Sequence, residues 1–208
     1  MVKVFIDTNI IVHWVVIKKM IEERGEEVVD RYRKLRQSYE FVEAVLTNEF
    51  KRGEFYISRL TLTEMTKALV DFIVYEKMRL EGVAAIYWGR YFKEYLLTDE
   101  EFDSFLEGVI EASNILEEHL NLIDDELFDL EYYPYFVARA GLSAHDAILL
   151  TTAIKYDMNY FVTMDRDFHD LLRNKRLRKR MKKFFEEKNF HIVKPGEMMQ
   201  VLEGLEHG

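Results

Sequence analysis

The chain has 208 residues, no cysteine and only two prolines. Without cysteine there is no disulfide scaffold, zinc ribbon, thiol nucleophile or iron–sulfur cluster, so any bound metal must be held by oxygen or imidazole. The six histidines show no H-x-x-x-H or similar ligand spacing. Long apolar runs are missing as well. The longest, residues 10–17, is interrupted by His13 and falls short of the roughly 20 residues that span a bilayer. The opening MVKVFIDTN shows no basic stretch followed by a long apolar segment, so a cytoplasmic protein with no membrane attachment is expected. There is no G-x-G-x-x-G after a strand and no G-K-[ST], the backbone cradles of dinucleotide and P-loop nucleotide binding. The G-x-S-x-G elbow of serine hydrolases is also missing. Asp7 is followed by Thr8 and Asn9 rather than by a second aspartate two residues on, which fits poorly with an aspartyl-phosphate phosphatase.

What is present is the material of a globular core: 49% hydrophobic and 14% aromatic residues beside 32% charged ones exclude a disordered or collagen-like chain. The length matches one domain, residues 1–208, enlarged by an insertion rather than split in two. A net charge of −9 argues against a general nucleic-acid coat, yet it says nothing about local fields. Residues 173–183, RNKRLRKRMKK, concentrate eight of the 29 basic side chains.

Residues 2–6 are β-branched and aromatic and end at Asp7, which reads as a buried strand followed by a helix from about residue 10. A second helix is expected over about 26–50, stopping at Gly53. A strand at 55–57 leads through Ser58 into Leu62, Met65, Leu69, Phe72 and Ile73, whose spacing is helical. From about 82 to 118 the pattern reads as an all-helical insertion, with Thr98 and Glu101 as a capping box. A short strand is expected near 120–123. Helix signals resume at Tyr135 and break at Gly141, and Ser143 then caps a buried helix. Further strands are expected at 159–163 and 190–193, with Asp165 to Asp167 in a turn and the basic run helical between them. Strands alternating with helices imply an α/β fold: a doubly wound, mainly parallel sheet of about five strands.

In such a sheet, ligands collect outside the carboxyl ends of the strands. Asp7, Glu64, Asp146, Asp165 and Asp167 are all expected near that edge. Crowded carboxylates raise one another's pKa unless a cation compensates them, and Mg²⁺ or Mn²⁺, which take oxygen ligands and bridge to phosphates, supply that compensation. Each acid also has a plainer reading. Thr61-x-x-Glu64 and Ser143-x-x-Asp146 both fit capping boxes, and Asp7, Asp165 and Asp167 suit turns or helix N-caps.

Taken in order, the stretches VFIDTN, SRLTLTEM, SAHDAILLTTA and FVTMDRDF resemble the PIN domain family, the nuclease fold of many prokaryotic VapC-type toxins and of some RNA-processing factors. The resemblance covers roughly residues 1–80 and 119–195, and the helical stretch between them makes this chain longer than compact toxin members. It implies that Asp7, Glu64, Asp146 and Asp165 form the catalytic set, with Asp7, Asp146 and Asp165 as direct or water-mediated ligands of Mg²⁺ or Mn²⁺. Asn9, Thr163 and Asp167 would support them from behind. The implied activity is metal-dependent endoribonuclease cleavage, leaving a 5′-phosphate and a 3′-hydroxyl. The chain would then be the toxin of a toxin–antitoxin pair, a homodimer acting on RNA and held by a small antitoxin protein. The alternatives are a structure-specific nuclease on DNA or precursor rRNA, and a noncatalytic RNA-binding or assembly module whose acids are helix caps.

The basic run offers Arg173, Lys175, Arg176, Arg178 and Lys179 to track phosphates, and Arg166 stands between two of the acids. Its plainer reading is a solvated helix face with Leu177, Met181 and Phe184 packed inward. Tyr87, Trp88, Tyr91, Phe92 and Tyr95 form an aromatic band that reads first as core or interface and second as a base-stacking surface. His145, beside Asp146, reads first as exposed or structurally bonded and second as a supporting hydrogen-bond partner.

Overall fold

A computed structural model describes residues 1–28, 32–173 and 175–207, and the side chains of all of these except 28 and 34 and those of 172–181. Five strands form one all-parallel sheet in the order β3-β2-β1-β4-β5. They are β1 (Val2–Ile6), β2 (Gly53–Ser58), β3 (Asn121–Ile123), β4 (Tyr160–Val162) and β5 (His191–Val193). β1 is central: Val4 pairs with Phe55 of β2 on one side and with Tyr160 of β4 on the other. Parallel sheets are covered on both faces, and here alternate residues of β1 serve two separate cores. Val4 and Ile6 pack with Ile57 and Val162 against one set of helices. Phe5 points the other way and stacks on Phe161, with ring centroids 5.4 Å apart.

The helices are α1 (Thr8–Arg24), α2 (Arg33–Leu46), α3 (Arg59–Leu80), α4 (Trp88–Tyr91), α5 (Asp99–His119), α6 (Tyr133–Tyr135), α7 (Ala144–Lys155), α8 (Arg166–Arg173), α9 (Lys175–Lys188) and α10 (Pro195–His207). The single helix expected over 26–50 is instead a short 3₁₀ turn, Glu26–Val28, followed by α2. α10 begins with Pro195 and Gly196, a loop-like pair in sequence. Proline at a helix start costs nothing, because its missing N–H has no partner there in any case.

Between α3 and β3 the chain is helical, as expected. α5 opens with the reciprocal Thr98–Glu101 box and is anchored by buried Ala112 and Leu116. The aromatic band divides. Trp88 stacks on Tyr75 of α3 at 5.2 Å and Phe92 meets the same ring edge-on, while Tyr87 stays 46% exposed. Before α7, Phe136–Ala140 is a π-helical turn that ends at Gly141 in the left-handed region, φ 77°. That conformation suits glycine because a Cβ would crowd the backbone. Among the described residues no helix is long and apolar enough to cross a membrane.

Candidate active site

The strand order reverses between β1 and β4, because the chain goes from β1 toward β2 and β3 on one side and to β4 and β5 on the other. At such a point the loops leaving adjacent strands part and open a crevice. Asp7 leaves β1 at this place, and its backbone N–H still donates to Val162 O of β4 at 3.0 Å. Its side chain caps α1, with Oδ1 accepting from the Thr8 N–H at 2.7 Å. The other oxygen, Oδ2, accepts from the Thr163 hydroxyl at 2.5 Å and from the Asn9 amide. Three donors thus hold a carboxylate that is 3% exposed.

Thr163 is fully buried and works in several directions at once. Besides donating to Asp7, its hydroxyl oxygen accepts from Asn9 Nδ2 at 3.1 Å and from the Asp165 N–H at 2.9 Å. Asn9 Oδ1 accepts from the Met164 N–H at 3.1 Å, so the start of α1 is laced to the segment after β4. Asp165 lies just ahead of α8, not in an open turn: its Oδ1 accepts from the Asp167 N–H at 2.8 Å, and Asp167 sits in the first turn of that helix.

Glu64 arrives from α3. The expected Thr61–Glu64 box is not formed; Ser58, the last residue of β2, is the N-cap and exchanges bonds with Thr61. Glu64 therefore stands in the second turn and its carboxylate is released for other contacts. Oε2 accepts from the Thr8 hydroxyl at 2.9 Å, and Oε1 lies 2.8 Å from His145 Nδ1. Asp146 comes from the first turn of α7, whose cap Ser143 accepts from the Asp146 N–H at 3.1 Å.

Three of these acids are held above the usual carboxylate range. Burial pushes the Asp7 carboxyl up to about 7, with the charges of Asp146 and Asp165 acting the same way against the bonds from Thr163 and Thr8. Burial also raises Glu64; Thr8 and His145 pull it back, while Asp146 and Asp125 push it further. Asp146 is raised by burial, opposed by Ser143 and reinforced by Asp165 and Asp167. The acids from β1, α3, α7 and the β4–α8 junction thus act on one another as a single negative cluster. Among the described residues, the one basic side chain within ion-pair distance of these acids is His145, beside Glu64.

Among the described residues no group of three Asp, Glu or His side chains is arranged as ready-made ligands of one ion. The catalytic and supporting residues implied by sequence, Asp7, Asn9, Glu64, Asp146, Thr163, Asp165 and Asp167, do belong to this cluster. Arg166 does not turn into it: its side chain is 83% exposed and pairs with Asp170 at 3.4 Å. The side chains of Arg173, Lys175, Arg176, Arg178 and Lys179 lie outside the described residues.

Two members carried no strong sequence signal. Thr8 has no chemical signature in sequence, yet its hydroxyl links the start of α1 to α3. Asp125, just past the carboxyl end of β3, takes the Leu60 N–H on Oδ2 at 2.8 Å and leaves Oδ1 buried with no partner. Its place after a strand was the available clue.

No family model and no curated protein matches the chain. Among solved structures it is similar to one described as the crystal structure of PAE2754 from Pyrobaculum aerophilum. The identity is 15% over 98% of this chain and 96% of that one, and the TM-score is 0.42.

Proposed function

We propose that the chain is a divalent-metal-dependent endoribonuclease of the PIN type. The observation that carries this reading is the meeting in one crevice of Asp7, Glu64 and Asp146, brought from three elements and close enough for their charges to act on one another. A carboxylate that serves only as a cap is stabilised as an anion. Glu101 behaves in that way: its bond from Lys77 and the Thr98 N–H in its capping box hold it below the usual range. Asp7 caps α1 and yet lies far above that range, which is a stability cost that a capping role alone does not require. An acid cluster of this kind is relieved by a hard cation.

The donor set fits Mg²⁺ or Mn²⁺ through water. Mg²⁺ keeps several waters and is bound through one or two protein carboxylates rather than by an all-protein cage. Asp7, Asp146 and Asp165 would hold it. When bound, the metal supplies Lewis-acid activation of water and charge stabilisation at the scissile phosphate. The chain's own residues do the rest. Thr163, Asn9 and Thr8 fix both oxygens of Asp7, Ser143 steadies Asp146, and the Asp167 N–H steadies Asp165. Burial beneath the β1–β4 seam lowers the local dielectric and strengthens every charge interaction at the reacting phosphate.

On this reading the substrate is RNA, with structured DNA or precursor rRNA as the next choice. A toxin role with a small antitoxin, a homodimer and a cytoplasmic setting follow from the same family resemblance. α9 carries most of the basic run, and the reading expects its affinity for RNA to fall steeply with salt.

The test is a cleavage panel of RNA and single-stranded DNA with and without Mn²⁺, using Asp7→Asn and Asp146→Asn as controls. Cleavage of RNA that requires Mn²⁺ and disappears in both variants supports the proposal. Salt-sensitive RNA binding without cleavage overturns it in favour of a noncatalytic binding module.

A further inference from the structure

One line of contacts ties three elements of the site together. The Thr8 N–H donates to Asp7, the Thr8 hydroxyl donates to Glu64 Oε2 at 2.9 Å, and Glu64 Oε1 lies 2.8 Å from His145 Nδ1. Glu64 is thereby gripped on both oxygens, one from the α1 start and one from α7. A glutamate has three rotatable bonds, and an ungripped one samples many positions at substantial entropy. Two fixed partners on opposite oxygens select one orientation of the carboxylate plane.

The fold does not need His145 where it stands. Its side chain is 64% exposed, against 20% for that of Glu64, so it fills no core space. It is not the cap of α7, because Ser143 is. Yet it leans inward onto a half-buried acid, from the position next to Asp146.

We propose that His145 is a positioning residue of the nuclease: through Nδ1 it fixes Oε1 of Glu64 while Thr8 fixes Oε2, and so it sets a carboxylate that would accept from the waters of a bound metal. It does not touch the reacting atoms. This proposal rests on the metal-dependent nuclease reading above. The ring nitrogens have separate roles, and the bond made by Nδ1 determines what Nε2 presents to solvent.

The two nitrogens can be separated by amide replacements. Asparagine places its side-chain N–H₂ near the position of Nδ1, and glutamine places it near that of Nε2. Wild type, H145N, H145Q and H145A are compared by Mn²⁺ affinity from electron paramagnetic resonance, by kcat and KM for RNA, and by ¹⁵N NMR of the ring in wild type and E64A. Loss of a residue that orients a metal-site group weakens binding or activity by about 10- to 100-fold. H145A and H145Q are expected to lose Mn²⁺ affinity and kcat in that range, with KM unchanged. H145N is expected to stay close to wild type, since its amide N–H restores the contact with Oε1 of Glu64. The ring of wild type is expected to carry its proton on Nδ1, and E64A to remove that preference. An active wild type with equally active H145A and H145Q overturns the role of His145 and leaves the nuclease reading standing. H145Q restored and H145N impaired overturns the assignment to Nδ1. A wild type that neither binds Mn²⁺ nor cleaves overturns both proposals.

Discussion

The Thr163 hydroxyl donates to the Asp7 carboxylate at 2.5 Å, joining two residues 156 positions apart in the chain. The same oxygen accepts from Asn9 and from the Asp165 N–H, so one hydroxyl group links three segments. Thr163→Val keeps the shape and removes the donor and acceptor, leaving buried polar groups unsatisfied at about 1–3 kcal/mol. Urea unfolding at neutral pH should show a loss in that range, and Thr163→Ser should keep most of the stability. Equal midpoints for the valine variant and wild type would show that the bond contributes nothing.

The acid cluster makes a pH prediction with a definite sign. The folded Asp7 carboxyl has a pKa of about 7, above its ordinary value of 3.8, so between these values the folded state binds more protons than the unfolded one. Its contribution is fully present below about pH 4 and is lost as pH rises through about 7. The shifts of Glu64 and Asp146 have the same direction and add to it. A shift of this size corresponds to a ceiling of about 4 kcal/mol for Asp7. Glu76, Glu101, Glu111 and Asp129 are shifted down and work the opposite way at low pH, so the informative quantity is a difference between proteins. Metal-free wild type should lose stability relative to Asp7→Asn as pH is raised from 5 to about 8. Parallel curves across that window would contradict the burial of a titrating Asp7.

A divalent cation should reverse this trend. It competes with protons for the same carboxylates, so Mn²⁺ should raise the thermal midpoint more at pH 8 than at pH 5. A ligand at 100 times its Kd stabilises by about 2.7 kcal/mol, which differential scanning calorimetry resolves. The rise should be much reduced in Asp146→Asn. An unchanged wild-type midpoint in millimolar Mn²⁺ would count against the metal site.

The α3 boundary separates capping from chemistry. Ser58 is the cap, so Ser58→Ala should cost about 1 kcal/mol. Glu64 lies in the second turn, and Glu64→Gln should leave thermal stability near wild type or above it at pH 8, because glutamine removes a negative charge that burial disfavours. Calorimetry of both variants decides it; the reverse order of costs would restore Glu64 as a cap.

The five strands were legible because a parallel strand buried on both faces is almost wholly apolar, as VKVFI is, and because each ends at a polar residue. The position of the acids followed from those strand ends. Ser58, Thr61 and Thr63 are all acceptable caps within six residues, and only the point where β2 stops pairing with β3, at Ser58 opposite Ile123, selects among them. The break before α2 carries no proline or central glycine to announce it. Pro195 and Gly196 hid α10 behind loop-like composition. The contact of His145 with Glu64 depends on how α7 lies against α3, a tertiary relation with no local pattern. Asp125 has no local signature for the same reason, since its relation to Glu64 appears only when β3 is placed beside β2.

The central place of β1 also governs synthesis. Its partner β4 follows some 156 residues later, as the spacing of the Lys3–Asn159 bond shows, and a ribosome adds roughly 5–20 residues per second. For about 5 to 20 seconds of translation at that rate, β1 therefore waits with one edge bare after β2, which ends at Ser58, has joined it on the other. Unpaired strand edges invite pairing with other chains. The nascent protein is most open to trapping by chaperones, or to aggregation, before residue 160 emerges.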